Sequence, residues 1–405
     1  MNRKLLRRVI IITSEAFPYG MAGTNRIISL CKGFKANGLD SGVLSFYKYG
    51  VPSDIIVNPN RGIYEGIWYS NVFKTTVKNR FKIVRAFQDY FKFVLVFFHC
   101  IKVLNRSTLV IYYSRETLPA LSVKLVGFIK GSLFIKEETE HPSVRRMSSN
   151  SLLKLLHINF HYNLFDGLYV ITQNLSNYFR EDLKYTKPIL FVPMIVDINR
   201  FDHKSDINNN TIVFSGELDD EKEGLDLLIR AFHKVLETNP GYTLLLYGKA
   251  SDKQQEDYYK SMIADLKVEN NVLLMGYKIR DEMTKVFLCA KLFVFSRPPS
   301  LQATYGFSTK LGEYLATGKP VVATRVGEIE VYLKDKLNAF LCDPNVDSLS
   351  DKICEILDDY EFAMKVGEEG RKCSFENFNN ITETRKILDQ MQTIYGLSYS
   401  KTVEG

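Results

Sequence analysis

The chain has 405 residues, 45% of them hydrophobic and 24% charged, with a net charge of +7. That length exceeds what one hydrophobic core usually organises, and that balance excludes a disordered chain, so two folded domains are expected. The six cysteines, at 31, 100, 289, 342, 354 and 373, form no C-x-x-C pair and no His/Cys cluster at metal-ligand spacing, which argues against structural zinc and for a reducing, cytoplasmic compartment.

Arg3, Lys4, Arg7 and Arg8 before the apolar run 9–12 imitate a signal peptide, but the run is short and Glu15 interrupts it, so a buried first strand is the better account. Pro18 to Arg26 read PYGMAGTNR. Two glycines, Gly20 and Gly23, would let backbone approach a ligand closely, a helix would begin at Thr24 or just after, and Arg26 would lie just inside it, able to meet an anionic acceptor.

Residues 81–104 are aromatic and basic, with an apolar run at 93–98 far too short to span a bilayer. Phe87, Phe91, Val94, Leu95 and Phe98 make one helical stripe with Arg85, Lys92 and Lys102 nearby. This suits either a helix lying at the inner membrane face or a core helix with basic flanks. The basic excess from Lys74 to Arg106 could also serve nucleic acid, yet no base-reading module is visible and nucleic acid is not expected as a partner.

Short apolar runs at 9–12, 109–113, 133–135 and 168–171 are separated by segments long enough for helices, the spacing of parallel strands with crossovers. A second series follows at 211–214, 243–247, 272–275, 292–295 and 321–324. Between them lie FVPMIVDINRF (191–201) and the polar stretch 203–210, a linker in composition. The fold class is therefore α/β with two Rossmann-like doubly wound domains, 1–198 and 199–375. Ligands would sit in the cleft beyond the carboxyl ends of their strands. The chain reads as helical from 355 to about 395, and residues 376–405 are expected to return to the first domain.

The strongest constellation is RPPSLQATYGFSTKLGEYLATGKPVVAT, from Arg297. A strand ends at Ser296, a loop carries Tyr305, Gly306 and Phe307, and Ser308 or Thr309 caps a helix that Gly318 and Pro320 terminate. The loop amides and helix N-terminus suit a pyrophosphate. Lys310 and Glu313 share one helix face, and a carboxylate one turn into the helix can accept both hydroxyl hydrogens of a ribose. The spacing equally fits an ordinary strand, loop and helix with a solvated Lys and Glu.

These residues resemble the nucleotide-sugar segment of the retaining glycosyltransferase family 4, a GT-B family, whose pattern is E-x-F-G followed by a helix bearing a second Glu. Glu313 matches the second Glu and Phe307 the aromatic position; Tyr305 replaces the first Glu of the E-x7-E pair. FSGELDDEKEGLDLLIRAF (214–232) resembles the family's strand, turn, Lys and amphipathic helix. Lys222 would neutralise a leaving diphosphate, while Glu217 stands where the family usually has an Arg. The Gly20–Gly23 loop resembles the family's Gly-rich loop facing donor phosphates. Glu140 and His141, in the cluster EETEHP after 133–135, match a place that borders the sugar-reacting centre, although acidic clusters after strands are usually solvated caps.

The resemblance implies transfer of a sugar, with retention, from a nucleoside-diphosphate sugar as co-substrate to a glycan or lipid-linked acceptor in cell-surface polysaccharide synthesis. No further cofactor is implied. The sequence contains no D-x-D, so no metal is expected. The replacements at 217 and 305 leave a second possibility, a non-catalytic GT-B module that binds a glycan or a partner enzyme.

Overall fold

A computed structural model describes residues 4–46, 60–73, 82–144, 151–202 and 210–399, with backbone alone for 4, 82–90, 144 and 151–156. The expected linker at 203–210 lies, except for Asn210, outside the described residues. So do Lys74, Phe81 and the side chains of Arg85 and Phe87.

The chain forms two compact units, Met1–Ile195 together with Asn380–Gly405, and Val196–Asn379. The crossings thus fall at 195/196 and 379/380, where 198/199 and 375/376 were expected.

In unit one, the described strands are β1 (Lys4–Leu6), β2 (Arg8–Thr13), β3 (Asp40–Ser45), β4 (Arg61–Tyr64), β5 (Ile67–Asn71), β6 (Thr108–Tyr113), β7 (Leu133–Glu138), β8 (Gly167–Val170) and β9 (Ile189–Phe191). Eight of them form one sheet in the order β4-β5-β3-β2-β6-β7-β8-β9. All neighbours are parallel except β4 and β5. β2 (RVIIIT) and β6 (TLVIYY) are continuous apolar, β-branched or aromatic runs because a central parallel strand is covered on both faces.

Helices α1 (Ala22–Ala36), α2 (Lys82–Val103), α3 (Thr117–Lys130), α4 (Ser151–Asn163) and α5 (Gln173–Asn177) follow in chain order. α2 and α3 cover one sheet face with Val96, Cys100, Leu104, Ala120, Val123 and Val126. The other face is covered by α1 and by the returning helix Asn380–Tyr395, through Ile27, Leu30, Phe34, Ile387, Leu388 and Met391.

Unit two contains β10 (Thr211–Ser215), β11 (Thr243–Tyr247), β12 (Val272–Gly276), β13 (Leu292–Phe295), β14 (Val321–Thr324) and β15 (Phe340–Cys342). They form a fully parallel sheet in the order β12-β11-β10-β13-β14-β15. Its helices are α6 (Asp220–Glu223), α7 (Leu225–Thr238), α8 (Lys253–Asp265), α9 (Arg280–Cys289), α10 (Leu301–Tyr305), α11 (Thr309–Ala316), α12 (Ile329–Tyr332), α13 (Val346–Asp358) and α14 (Tyr360–Phe378). The returning helix is α15, and Leu397–Tyr399 (β16) pairs with β1.

Every expected strand coincides with a strand here. β1, β3, β4, β5, β9, β15 and β16 were not expected. In unit two the order reverses between β10 and β13, and in unit one between β2 and β6. Successive crossovers leave to opposite sides there, opening a crevice beyond the strand ends where such folds bind ligands.

Candidate functional site

Three segments meet at the β10/β13 reversal of unit two. After β10 come Gly216, Glu217 and the short helix α6, whose N-cap Asp219 accepts from the Lys222 amide at 2.7 Å. Gly224 then adopts φ +66°, and a Cβ there would lie 2.1 Å from the Ser296 carbonyl, so only glycine allows α6 to turn into α7 against the end of β13. That turn points Glu223 inward. Arg297 follows β13, and α11 delivers Lys310 from its first turn.

The result is one buried carboxylate between two cations. Arg297 Nη2 lies 3.2 Å from Glu223 Oε1, and Lys310 Nζ lies 2.7 Å from Glu223 Oε2. The Lys310 side chain is 12% exposed. Its ammonium sits 5.0 Å from the Phe214 ring centroid, over Gly216, where a Cβ would come within 2.1 Å of Nζ. Nζ is buried, and despite the close ion pair no well-directed hydrogen bond engages it. Two cations against one carboxylate leave a net positive charge beside the helix N-terminus, a setting that favours an anion.

Burial raises the Glu223 carboxyl, but Lys310 and then Arg297 outweigh it and hold the group down at about 2. Burial lowers Lys310 to about 8, with Glu223 restoring part of the loss. The folded Glu223 value lies below the ordinary 4.5, so its contribution to stability is complete above about pH 4.5 and is lost as pH falls toward about 2. Glu223→Gln should therefore flatten the acid-unfolding curve of unit two across that window. Titration followed by near-ultraviolet circular dichroism, compared with wild type, measures this.

Ser308 occupies the N-cap position of α11, but its hydroxyl does not make the expected capping bond. Gly306 is extended (φ −108°, ψ 165°), a conformation open to any residue, so its smallness rather than its backbone freedom matters. Tyr305 ends the short helix α10, which replaces part of the expected loop. Phe307 packs its ring 5.5 Å from Tyr332 and 6.1 Å from Phe378, giving the aromatic position a packing role. Arg297, Gly306, Phe307, Ser308 and Glu328 border one depression. Tyr314 fixes α11 to β10: its oxygen accepts from the Ser215 amide at 2.7 Å and its hydroxyl donates to the Ser215 carbonyl at 3.2 Å.

Glu313 is held by Arg200, which pairs with Oε1 at 2.5 Å and donates to the Arg280 carbonyl at 3.1 Å and the Thr284 hydroxyl at 2.7 Å. Arg200, Glu223 and Arg297 were not singled out as site residues in the sequence. Lys222 is more exposed than expected of a diphosphate ligand, and Glu217 pairs with it at 2.8 Å. The residue in the place of a second cation thus neutralises the first.

The expectations for unit one need correction. Arg26 is 2% exposed; its guanidinium donates to Glu137 Oε1, to the Pro193 carbonyl at 2.9 Å and to the Val192 carbonyl at 3.1 Å. It is an internal tie and is in no position to meet an acceptor. The glycines are likewise filled from within. A Cβ at Gly20 would lie 2.1 Å from Thr24 Oγ1, and one at Gly23 2.9 Å from the Glu15 carboxyl carbon, so their close neighbours are the chain's own side chains. The helix begins at Ala22, earlier than expected, and contains Gly23.

Glu140 pairs with Arg115, and His141 is buried, accepting from the Ser143 amide at 3.1 Å with its ring 4.1 Å from that of Tyr178. At the end of β7 itself Lys136 and Glu138 are buried and paired at 3.1 Å, with the Tyr162 hydroxyl donating to Glu138 at 2.6 Å. Glu140 is therefore a half-buried partner to Arg115 at the rim of that network rather than a solvated cap.

Two doubly wound parallel sheets in one chain, the second with a cationic crevice at its strand-order reversal, are the GT-B architecture. Residues 196–373 match the family model of the glycosyl transferases group 1. N-acetyl-alpha-D-glucosaminyl L-malate synthase of Bacillus anthracis is 27% identical over 169 residues, 42% of this chain and 40% of that protein. The aligned stretch thus spans about two fifths of that curated relative. Among solved structures, sucrose-phosphate synthase of Thermosynechococcus elongatus superposes with a TM-score of 0.71 at 14% identity, covering 97% of this chain and 100% of that one. HepE of Anabaena, solved in complex with UDP-glucose, gives 0.70 at 16% identity, covering 95% and 99%.

Proposed function

We propose that the chain transfers a sugar, with retention of configuration, from a nucleoside-diphosphate sugar to a hydroxyl of a glycan or lipid-linked glycan in cell-surface polysaccharide synthesis. The observation that carries this reading is the Arg297–Glu223–Lys310 cluster at the strand-order reversal of a unit that matches the glycosyl transferases group 1. A diphosphate is the anion that such a cluster, the Ser308–Lys310 amides and the N-terminus of α11 together would hold. The UDP-glucose complex of the similar HepE fold supports a nucleotide sugar as the donor class.

In this reading the bond from the anomeric carbon to the diphosphate oxygen breaks as the bond to the acceptor oxygen forms on the same face. The departing phosphate takes up the acceptor hydroxyl proton. Lys310, Arg297 and helix α11 balance the charge that develops on the diphosphate, with Lys222 at the rim, and no metal ion is required. Glu313, oriented by Arg200, accepts the ribose hydroxyls through its remaining oxygen. Glu140 and His141 stand at the place that borders the reacting sugar in the family resemblance.

The test is thermal unfolding with a panel of nucleoside diphosphates and their sugars, without metal, for wild type, Glu313→Ala and Glu313→Gln. One base should stabilise the wild type by about 2.7 kcal/mol at a hundred times its dissociation constant. Both variants should lose most of that shift, and Glu313→Gln, which can still bond Arg200, should retain the unliganded midpoint better. Absence of any shift with wild type would favour a non-catalytic glycan- or partner-binding module, the reading to which the Lys222–Glu217 pair lends weight.

A further inference from the structure

Helices α2 and α3 lie side by side on unit one, and each is apolar on the face turned away from the sheet. On α2 the exposed large side chains are Phe91, Leu95, Phe98 and Ile101. On α3 they are Leu118, Leu121, Leu125, Phe128 and Ile129, with Phe128 81% exposed. The positions recur every three or four residues on both helices, so each helix carries a second apolar stripe behind the one that packs on the sheet. Nine such side chains on adjoining helices exceed the scattered exposure normal for a protein surface.

The charge around this face is one-sided. From Tyr90 to Lys136 the sequence has seven Lys or Arg and a single acid, Glu116. Four of the cations have acidic partners: Lys92 with Glu116, Arg115 with Glu138 and Glu140, Lys124 with Asp166, and Lys136 with Glu138. Among the described residues Lys102, Arg106 and Lys130 form no ion pair. These three gather where α2 and α3 both end, since Arg106 Cγ approaches Gly131 and the Ser132 hydroxyl donates to the Asn105 carbonyl at 2.9 Å. They therefore stand at the same end of the face as Phe98, Phe128 and Ile129.

We propose that the α2–α3 face docks on an anionic lipid bilayer, its apolar stripes entering the headgroup boundary and Lys102, Arg106 and Lys130 meeting lipid phosphates. A fixed apolar face with cations at one end is the arrangement of an interfacial surface. Among the described residues no helix is long and apolar enough to cross a membrane, so the contact is peripheral. The Phe91, Leu95 and Phe98 stripe visible in the sequence is one part of this face; Ile101 and α3 supply the rest. The inference is independent of the reaction the chain performs.

The experiment is co-sedimentation of the full chain with phosphatidylcholine vesicles, with and without phosphatidylglycerol, at low and high salt. Wild type should bind the phosphatidylglycerol vesicles, and binding should weaken with salt. The triple variant Lys102→Gln, Arg106→Gln, Lys130→Gln should bind about a hundredfold more weakly, at roughly fivefold per cation. Leu125→Ser with Phe128→Ser should weaken binding by at least about tenfold, and Leu118→Ser offers a second apolar variant should that pair misfold. Unchanged thermal midpoints establish that the variants are folded. Failure of wild type to bind phosphatidylglycerol vesicles, or binding indifferent to both sets of substitutions, overturns the proposal. So does a wild-type dimer in light scattering that Phe128→Ser converts to monomer, because the face would then belong to a second copy of the chain.

Discussion

Lys310→Met is expected to lower kcat/KM for sugar transfer by about 10²–10³-fold, the usual effect of removing one donor aimed at developing negative charge in a water-poor site. Methionine keeps the length of the side chain and its packing over Phe214 while deleting the ammonium. Arg297 stays paired with Glu223, so the loss isolates the contribution of one cation. The pH profile gives a second reading. Burial brings Lys310 down to about 8, so in wild type the donor affinity should fall as pH rises through that value and the ammonium loses its proton. A bound diphosphate favours the charged form, so the limb should be plainer in kcat/KM than in kcat. The variant should lack it. Unchanged kcat/KM in Lys310→Met, measured with saturating acceptor, would remove this residue from the diphosphate site.

Arg26→Met is expected to destabilise unit one by about 3–5 kcal/mol, the cost of breaking a buried ion pair from one side. The guanidinium joins α1 to β7 through Glu137 and to the carbonyls of Val192 and Pro193, which follow β9. Glu137 Oε2 already has no hydrogen-bond partner, so without Arg26 the whole carboxylate stands uncompensated inside the protein. The single tryptophan of the sequence, Trp68, lies on β5 of this unit. Urea unfolding followed by its fluorescence therefore reports the relevant unit. Arg26→Met with Glu137→Leu should recover most of the loss, because replacing both members of a buried pair by apolar groups is far less costly than removing one. A loss below about 1 kcal/mol in the single variant would show that the tie contributes little.

The strands that the sequence announced are those covered on both faces. A run such as Thr211–Ser215 or Thr108–Tyr113 has few polar positions because it has no solvent side. Two strands of unit one were silent for different reasons. Asp40–Ser45 (DSGVLS) is buried beyond its first residue but has only two large apolar side chains, and the edge strand Arg61–Tyr64 alternates between exposed and half-buried positions. At the site, the loop-and-helix segment was legible as local order, and its position beyond the carboxyl ends of the strands followed from parallel topology, but the strand order that places it at a reversal did not. What could not be read was which carboxylate of the run 219–223 turns inward. Glu223 is chosen by its partners Arg297 and Lys310, distant in sequence, and by a glycine with positive φ just after it. Arg26 was misread for a related reason: its place in the first turns of a helix carries no information about which face meets the sheet. Arg200 belongs to a stretch read only as the approach to a linker, although it orients Glu313.

The return of α15 to unit one has a consequence for synthesis. Val196–Asn379 is continuous and can complete its fold as soon as it leaves the ribosome. The amino-terminal unit emerges earlier but cannot close the layer that Ile387, Leu388 and Met391 fill until the final helix has been translated. The part made first is thus finished last. In the interval its half-covered sheet is a natural client for a chaperone, and a nascent chain arrested before residue 380 should be cleaved by protease in its amino-terminal half while residues 210–379 resist.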